Sequence, residues 1–141
     1  GEIQNWHEVG GIDAPIKIYI RPPNSGTYLY FKEHVLDGEA YTSNVQNFLT
    51  TRALVEAIAL NSDAIGFGGV AYGPRIKHCK INGIDASIEN IQKDTYPIIR
   101  YLYLYTVDTP VGPIKALIDW ILRDGQKIVT EVGYVSLWSN Y

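Results

Sequence analysis

Arg21-Pro22-Pro23-Asn24-Ser25-Gly26-Thr27 is the stretch on which the reading of this chain turns. Before it stands Ile16-Lys17-Ile18-Tyr19-Ile20, whose alternation and β-branching predict a strand. After it, a helix is predicted from Ser25 to about Leu36, with Tyr28, Phe31 and Val35 on one side. A helix that begins at Ser-Gly-Thr presents unpaired N–H groups and the positive end of its dipole to whatever lies in front of it. Ser25 and Thr27 add hydroxyls, and Gly26 lets an oxyanion come close to the backbone. Arg21, at the strand end, carries a planar fork suited to a tetrahedral oxyanion. Pro22 and Pro23 stiffen the connection, so less freedom is lost when a ligand settles. The candidate site is therefore an anion socket of Arg21, Ser25, Gly26 and Thr27. Taken alone, Ser25-Gly26-Thr27 reads more readily as an ordinary helix cap than as an anion site, and Arg21 could be a surface arginine at a strand end.

Working outward, Gly1 to Gly11 predicts a helical turn and a loop. Asp37-Gly38 ends the first helix, and Ser43 or Asn44 is expected to cap a second, about Val45 to Leu60. That helix would turn Phe48, Leu54, Val55 and Ile58 towards a core. Ala64 to Tyr72 reads as a buried strand whose glycines allow close backbone approach. Gly73-Pro74 and Asn82-Gly83 bracket a further strand, Arg75 to Ile81. Ser87 caps a short helix to about Lys93. Ile98 to Val107, apolar on both faces apart from Arg100, reads as a central strand covered on both sides. Gly112-Pro113 starts a helix with Ile114, Leu117, Ile118, Ile121 and Leu122 in step, and another runs from Gln126 to Gly133. Tyr134 to Tyr141 closes the chain.

The chain has 141 residues, the size of one domain, and its 46% hydrophobic and 19% charged content suits a soluble globular protein. Net charge is −3 and the basic residues are scattered, which argues against nucleic acid as a partner. Cys79 is alone, so neither an internal disulfide nor a thiolate metal cluster is expected. His7, His34 and His78 share no metal-ligand spacing, so neither metal nor cofactor is expected. Gly66-Phe67-Gly68-Gly69 lacks the Lys-Ser/Thr ending of a nucleotide loop and the full dinucleotide fingerprint. No nucleophile elbow surrounds Ser25, and Asp85, Glu89 and Asp94 read as surface and helix-terminal acids, so the chain is not read as an enzyme. No run is long enough to span a bilayer, and no signal peptide is visible. The absence of methionine points to a processed or excised start.

The Arg-x-x-x-Ser-Gly-Thr junction resembles the second-lobe phosphate site of the phosphate-binding proteins that feed ABC transporters. Gly1 to Gly11 (GEIQNWHEVGG) resembles the segment before that site, and Asp63 to Tyr72 (DAIGFGGVAY) resembles its Gly-rich strand. Tyr96 to Leu137, from YPIIRYLYLY to GYVSL, resembles the C-terminal run. Nothing resembles the N-terminal lobe. The family often carries an acidic residue in this loop to orient the arginine or accept a proton from the ligand; this chain departs from it with Pro22, Pro23 and Asn24.

The resemblance implies an α/β fold: residues 1–141 as a single domain, one lobe of a type II periplasmic-binding-protein architecture. A mixed sheet of about five strands with helices on both faces is expected. It further implies recognition of inorganic phosphate as the half-site of a solute-binding protein, working outside the cytoplasm with the membrane permease of an ABC importer. It also favours a structural role for Arg100. The other wall of the site would come from a missing N-terminal lobe or a second copy of the chain. A different reading is an interaction or self-associating module that keeps the lobe fold without transport-grade binding.

Overall fold

A computed structural model describes residues 1–73 and 75–138. Within it the chain forms two compact units, Gly1–Lys77 and His78–Tyr141.

The first unit is built on a three-stranded parallel sheet in the order β2-β1-β3, with β1 at Lys17–Ile20, β2 at Val45–Asn47 and β3 at Ala64–Gly66. Among the described residues the sheet thus has fewer strands than the sequence predicts, and every pair is parallel. Helix α1, Gly26–His34, connects β1 to β2, and α2, Thr51–Ala59, connects β2 to β3. The first crossover steps outward from the central strand β1 to β2, and the second runs the opposite way, from β2 past β1 to β3. Right-handed connections therefore place α1 and α2 on opposite faces of the sheet.

Tyr19, Leu54 and Val55 form the buried centre, and Phe48, Ala57, Ile58, Ala64, Tyr72 and Ile76 pack around them. The Tyr19 and Phe48 rings lie 5.0 Å apart, and the Tyr19 hydroxyl accepts a hydrogen bond from Asn61 Nδ2 at 3.1 Å. At the opposite end of β3 the predicted N-terminal turn, Trp6–Val9, is tied down by Trp6 Nε1 donating to the Asp63 carbonyl at 2.9 Å. Helix α1 stands on an aromatic stack: Phe31 lies 4.0 Å from Phe67, and Tyr28 lies 4.5 Å from Tyr41.

The expected helix from Val45 to Leu60 is a strand, a bend and a shorter helix. Val45, Gln46 and Asn47 pair with Ile18, Tyr19 and Ile20, and Phe48 N–H donates to the Ile20 carbonyl at 2.9 Å. Pairing with the central strand outweighs a helical preference that is weak over so few residues. The cap falls at Thr50, whose Oγ1 accepts from Ala53 N–H at 3.1 Å, rather than at Ser43 or Asn44. The expected strand from Ala64 to Tyr72 stops at Gly66 and is followed by a 3₁₀ turn, Val70–Tyr72.

In the second unit the Asn82-Gly83 turn forms as predicted, both residues having positive φ (52° and 79°), and it closes a single bridge between Ile81 and Ile84. Arg75 to Ile81 makes no strand, and the Pro74 half of the Gly73-Pro74 turn lies outside the described residues. Helices α3 (Ile88–Gln92), α4 (Gly112–Leu122) and α5 (Gly125–Glu131) follow, α3 capped by Ser87 as expected. Gln126 is buried among backbone partners: its Nε2 donates to the Ile121 carbonyl and its Oε1 accepts from Leu137 N–H. Residues 139–141 of the closing segment lie outside the description.

The predicted central strand from Ile98 to Val107 is absent; Leu102, Tyr103, Leu104, Tyr105 and Val107 are exposed, and so is Arg100. Ile114 and Leu117 on α4 are exposed as well, so this stripe does not cover that run. An apolar run reports a need for cover, whereas a strand also needs neighbours for its N–H and C=O groups. No such neighbour pairs with it among the described residues.

Candidate functional site

All three parallel strands end at one edge of the sheet. In the order β2-β1-β3 that edge contains a switch point beside β1, the place where open α/β sheets bind ligands. The β1–α1 connection crosses this edge, bringing Arg21, Ser25, Gly26 and Thr27 there together. The four residues named from the sequence thus lie on one short turn at that edge.

Arg21 immediately follows β1 and is half-buried. Its Nε donates to the Phe48 carbonyl at 3.1 Å, Nη2 to the Leu49 carbonyl at 2.8 Å, and Nη1 to Thr51 Oγ1 at 2.7 Å. All three acceptors are neutral, and among the described residues no carboxylate pairs with it, so its full positive charge stays at the edge. A guanidinium has five N–H groups, and these three bonds leave one on each terminal nitrogen.

Ser25 closes the loop by donating its N–H to the Pro22 carbonyl at 2.9 Å. It is 8% exposed, and its Oγ accepts from Thr27 N–H at 3.2 Å. The ordinary capping role is therefore present, and it engages one of the amides that the sequence left open to a ligand. Gly26 is exposed and Thr27 half-buried. Among the described residues the N–H groups of Gly26 and Tyr28 have no acceptor within the chain, so the open end of α1 consists of those two amides.

Sequence reasoning missed Thr51, the Phe48 and Leu49 carbonyls, and the Tyr28 amide. The pair Thr50-Thr51 after β2 was the available signal for a helix start, hidden by reading the whole stretch as one helix. The Gly-rich segment after β3 also reaches this edge: a Cβ on Gly68 would stand 2.8 Å from Thr51 Cγ2.

Beneath α1, the Tyr41 hydroxyl donates to the Tyr28 carbonyl at 2.9 Å. Burial, reinforced by Tyr28, pushes its phenol up to about 12. His34 stacks on Tyr30, and His7 lies 3.7 Å from Asp13. Asp85 and Glu89 pair with Lys80 and Lys93, and Asp94 accepts from the Tyr101 hydroxyl. Among the described residues no group of His, Cys, Asp or Glu could hold a metal, and no helix is long and apolar enough to cross a membrane.

The first unit is thus an open parallel α/β sheet with a helix start and an arginine at its strand ends. The chain belongs to the family whose model is described as a PBP superfamily domain, which matches residues 1–124. It is 32% identical over 139 residues to the phosphate-binding protein PstS of Bacillus subtilis, covering 96% of this chain and 46% of that protein. To PstS of Pseudomonas aeruginosa it is 26% identical, over 96% of this chain and 47% of the relative. The fold matches a candidate phosphate ABC transporter substrate-binding protein of Clostridium perfringens solved with bound phosphate. The TM-score is 0.74 at 29% identity, over 98% of this chain and 58% of that one. PstS of Borrelia burgdorferi gives a TM-score of 0.69 at 28% identity, covering 96% and 58%. The chain spans about half the length of the curated relatives it matches.

Proposed function

We propose that this chain recognises inorganic phosphate as one wall of a solute-binding protein serving an ABC phosphate importer. Residues 1–141 act as one lobe, and Arg21, Ser25, Gly26 and Thr27 face the ligand, joined by the Tyr28 amide. One observation carries the reading: Arg21 is held by neutral acceptors at the same turn where α1 leaves two amides open. A fixed cation beside unpaired N–H groups suits a tetrahedral oxyanion. The names of the relatives support phosphate as that oxyanion. No chemistry is performed on it. The second wall comes from an N-terminal lobe or another copy of the chain, and the protein works outside the cytoplasm.

An anion held from one side keeps much of its hydration, so binding by this chain alone is expected to be weak. An NMR titration with millimolar phosphate, run beside sulfate and chloride, should move the amides of residues 21–28. Arg21→Ala should weaken binding by about 1.5–3 kcal/mol, the worth of a hydrogen bond to a charged group. Phosphate that moves none of those amides refutes the reading.

A further inference from the structure

Arg21 is useful to a ligand only if its guanidinium is held in one orientation, and the side chain holding its Nη1 is Thr51. Thr51 opens α2, where the Thr50 cap fixes the backbone. Its β-branched side chain has few rotamers available. The methyl lies against Gly68, so close that a Cβ there would be 2.8 Å from Cγ2. With the methyl on the side of the Gly-rich segment, Oγ1 accepts from the guanidinium at 2.7 Å. Positions 22–24, Pro-Pro-Asn, offer no carboxylate to do the same work. A carboxylate would orient Arg21 but also cancel its charge; a hydroxyl orients it and leaves the charge for the anion.

We propose that Thr51, backed by Gly68, is the positioning residue of the oxyanion wall, aligning Arg21 without neutralising it. This rests on the reading that Arg21 binds phosphate. It also gives Gly66-Phe67-Gly68-Gly69 a role: Gly68 is the space into which Thr51 fits.

The test uses the 141-residue chain and two readouts. The first, without ligand, is the restricted rotation of the Arg21 guanidinium, seen in its side-chain N–H resonances. Thr51→Val keeps the shape and removes the Nη1 acceptor, leaving only the Phe48 and Leu49 carbonyls on the guanidinium, so those resonances should broaden towards averaging, whereas Thr51→Ser should keep them sharp and distinct. Gly68→Ala, which pushes on the Thr51 methyl, should act like Thr51→Val. The second readout is phosphate affinity. It should fall roughly tenfold in Thr51→Val, the effect of freeing an oriented charged donor, and recover most of that loss in Thr51→Ser. Thr51→Asp should keep the guanidinium fixed yet weaken phosphate binding, which separates orientation from charge. Unchanged Arg21 resonances in Thr51→Val overturn the proposal whatever the affinity, as does a freed guanidinium with unchanged affinity. Resonances that respond to Thr51 in a chain whose parent ignores phosphate point elsewhere. That pattern sinks the phosphate-wall reading and leaves Thr51 a structural tether.

Discussion

Replacing Gly66 with alanine adds one methyl where β3 lies beside the central strand, in register with Tyr19. A Cβ there would stand 2.7 Å from the Tyr19 carbonyl oxygen, 2.9 Å from Ile58 Cδ1 and 3.1 Å from Leu54 Cδ2. Comfortable carbon contacts lie at about 3.5–4.0 Å, so all three are overlaps. Ile58 and Leu54 can turn aside a little. The Tyr19 carbonyl cannot, because it belongs to a strand paired on both edges. Overpacking of this kind costs about 1–3 kcal/mol. Because one of the overlapping atoms is a backbone carbonyl, the cost belongs in the upper part of that range, about 2–3 kcal/mol; the stiffer unfolded chain returns about 0.4–1 kcal/mol, leaving a net loss of about 1–2.6 kcal/mol. Gly69→Ala is the matched control. Its φ of −66° and ψ of 139° suit alanine, and the new Cβ would meet the Tyr72 ring at 3.8 Å, an ordinary contact. That variant should be more stable by about 0.4–1 kcal/mol, since only the unfolded-chain effect remains. Urea unfolding followed by circular dichroism reads both, provided the slope is unchanged and only the midpoint moves. If Gly66→Ala proves neutral, or shifts in the same direction as Gly69→Ala, the close approach of β3 to β1 is wrong.

Leu54 is fully buried, so Leu54→Ala should cost about 2–5 kcal/mol in the same assay. Leu117, predicted from its spacing to be core, is 56% exposed, and Leu117→Ala should stay within about 0.5 kcal/mol of the parent. The Tyr41 phenol is raised from its ordinary 10.0 to about 12 in the folded chain, so folding favours the protonated form. Its contribution is complete below pH 10.0 and is lost as pH rises from there towards about 12. A spectrophotometric phenolate titration should show a late component that vanishes in Tyr41→Phe, and no late component would refute the burial of that hydroxyl.

What the sequence settled by itself was local. Ser25 caps α1, Ser87 caps α3, Gly112-Pro113 opens α4, and Asp37-Gly38 and Asn82-Gly83 turn the chain, all where expected. Each of these rests on a side chain acting on backbone two or three residues away, or on a left-handed φ that few residues tolerate. The same locality made the candidate turn from Arg21 to Thr27 legible, because strand, arginine and capped helix lie within a dozen residues.

Tertiary structure decided the rest, because the deciding partners lie far along the chain. Val45-Gln46-Asn47 joins the sheet only because Ile18 to Ile20 is beside it. Arg21 finds its acceptors at Phe48, Leu49 and Thr51, 27 to 30 residues later. Gly68 matters to that contact only through the β2-β1-β3 order, which no periodicity encodes. Ile98 to Val107 shows the converse, a strand-like composition without a strand, since a ladder needs a second chain segment to receive its hydrogen bonds. Caps and turns are satisfied within one turn of backbone; strands, and the orientation of an arginine, are satisfied only across the fold.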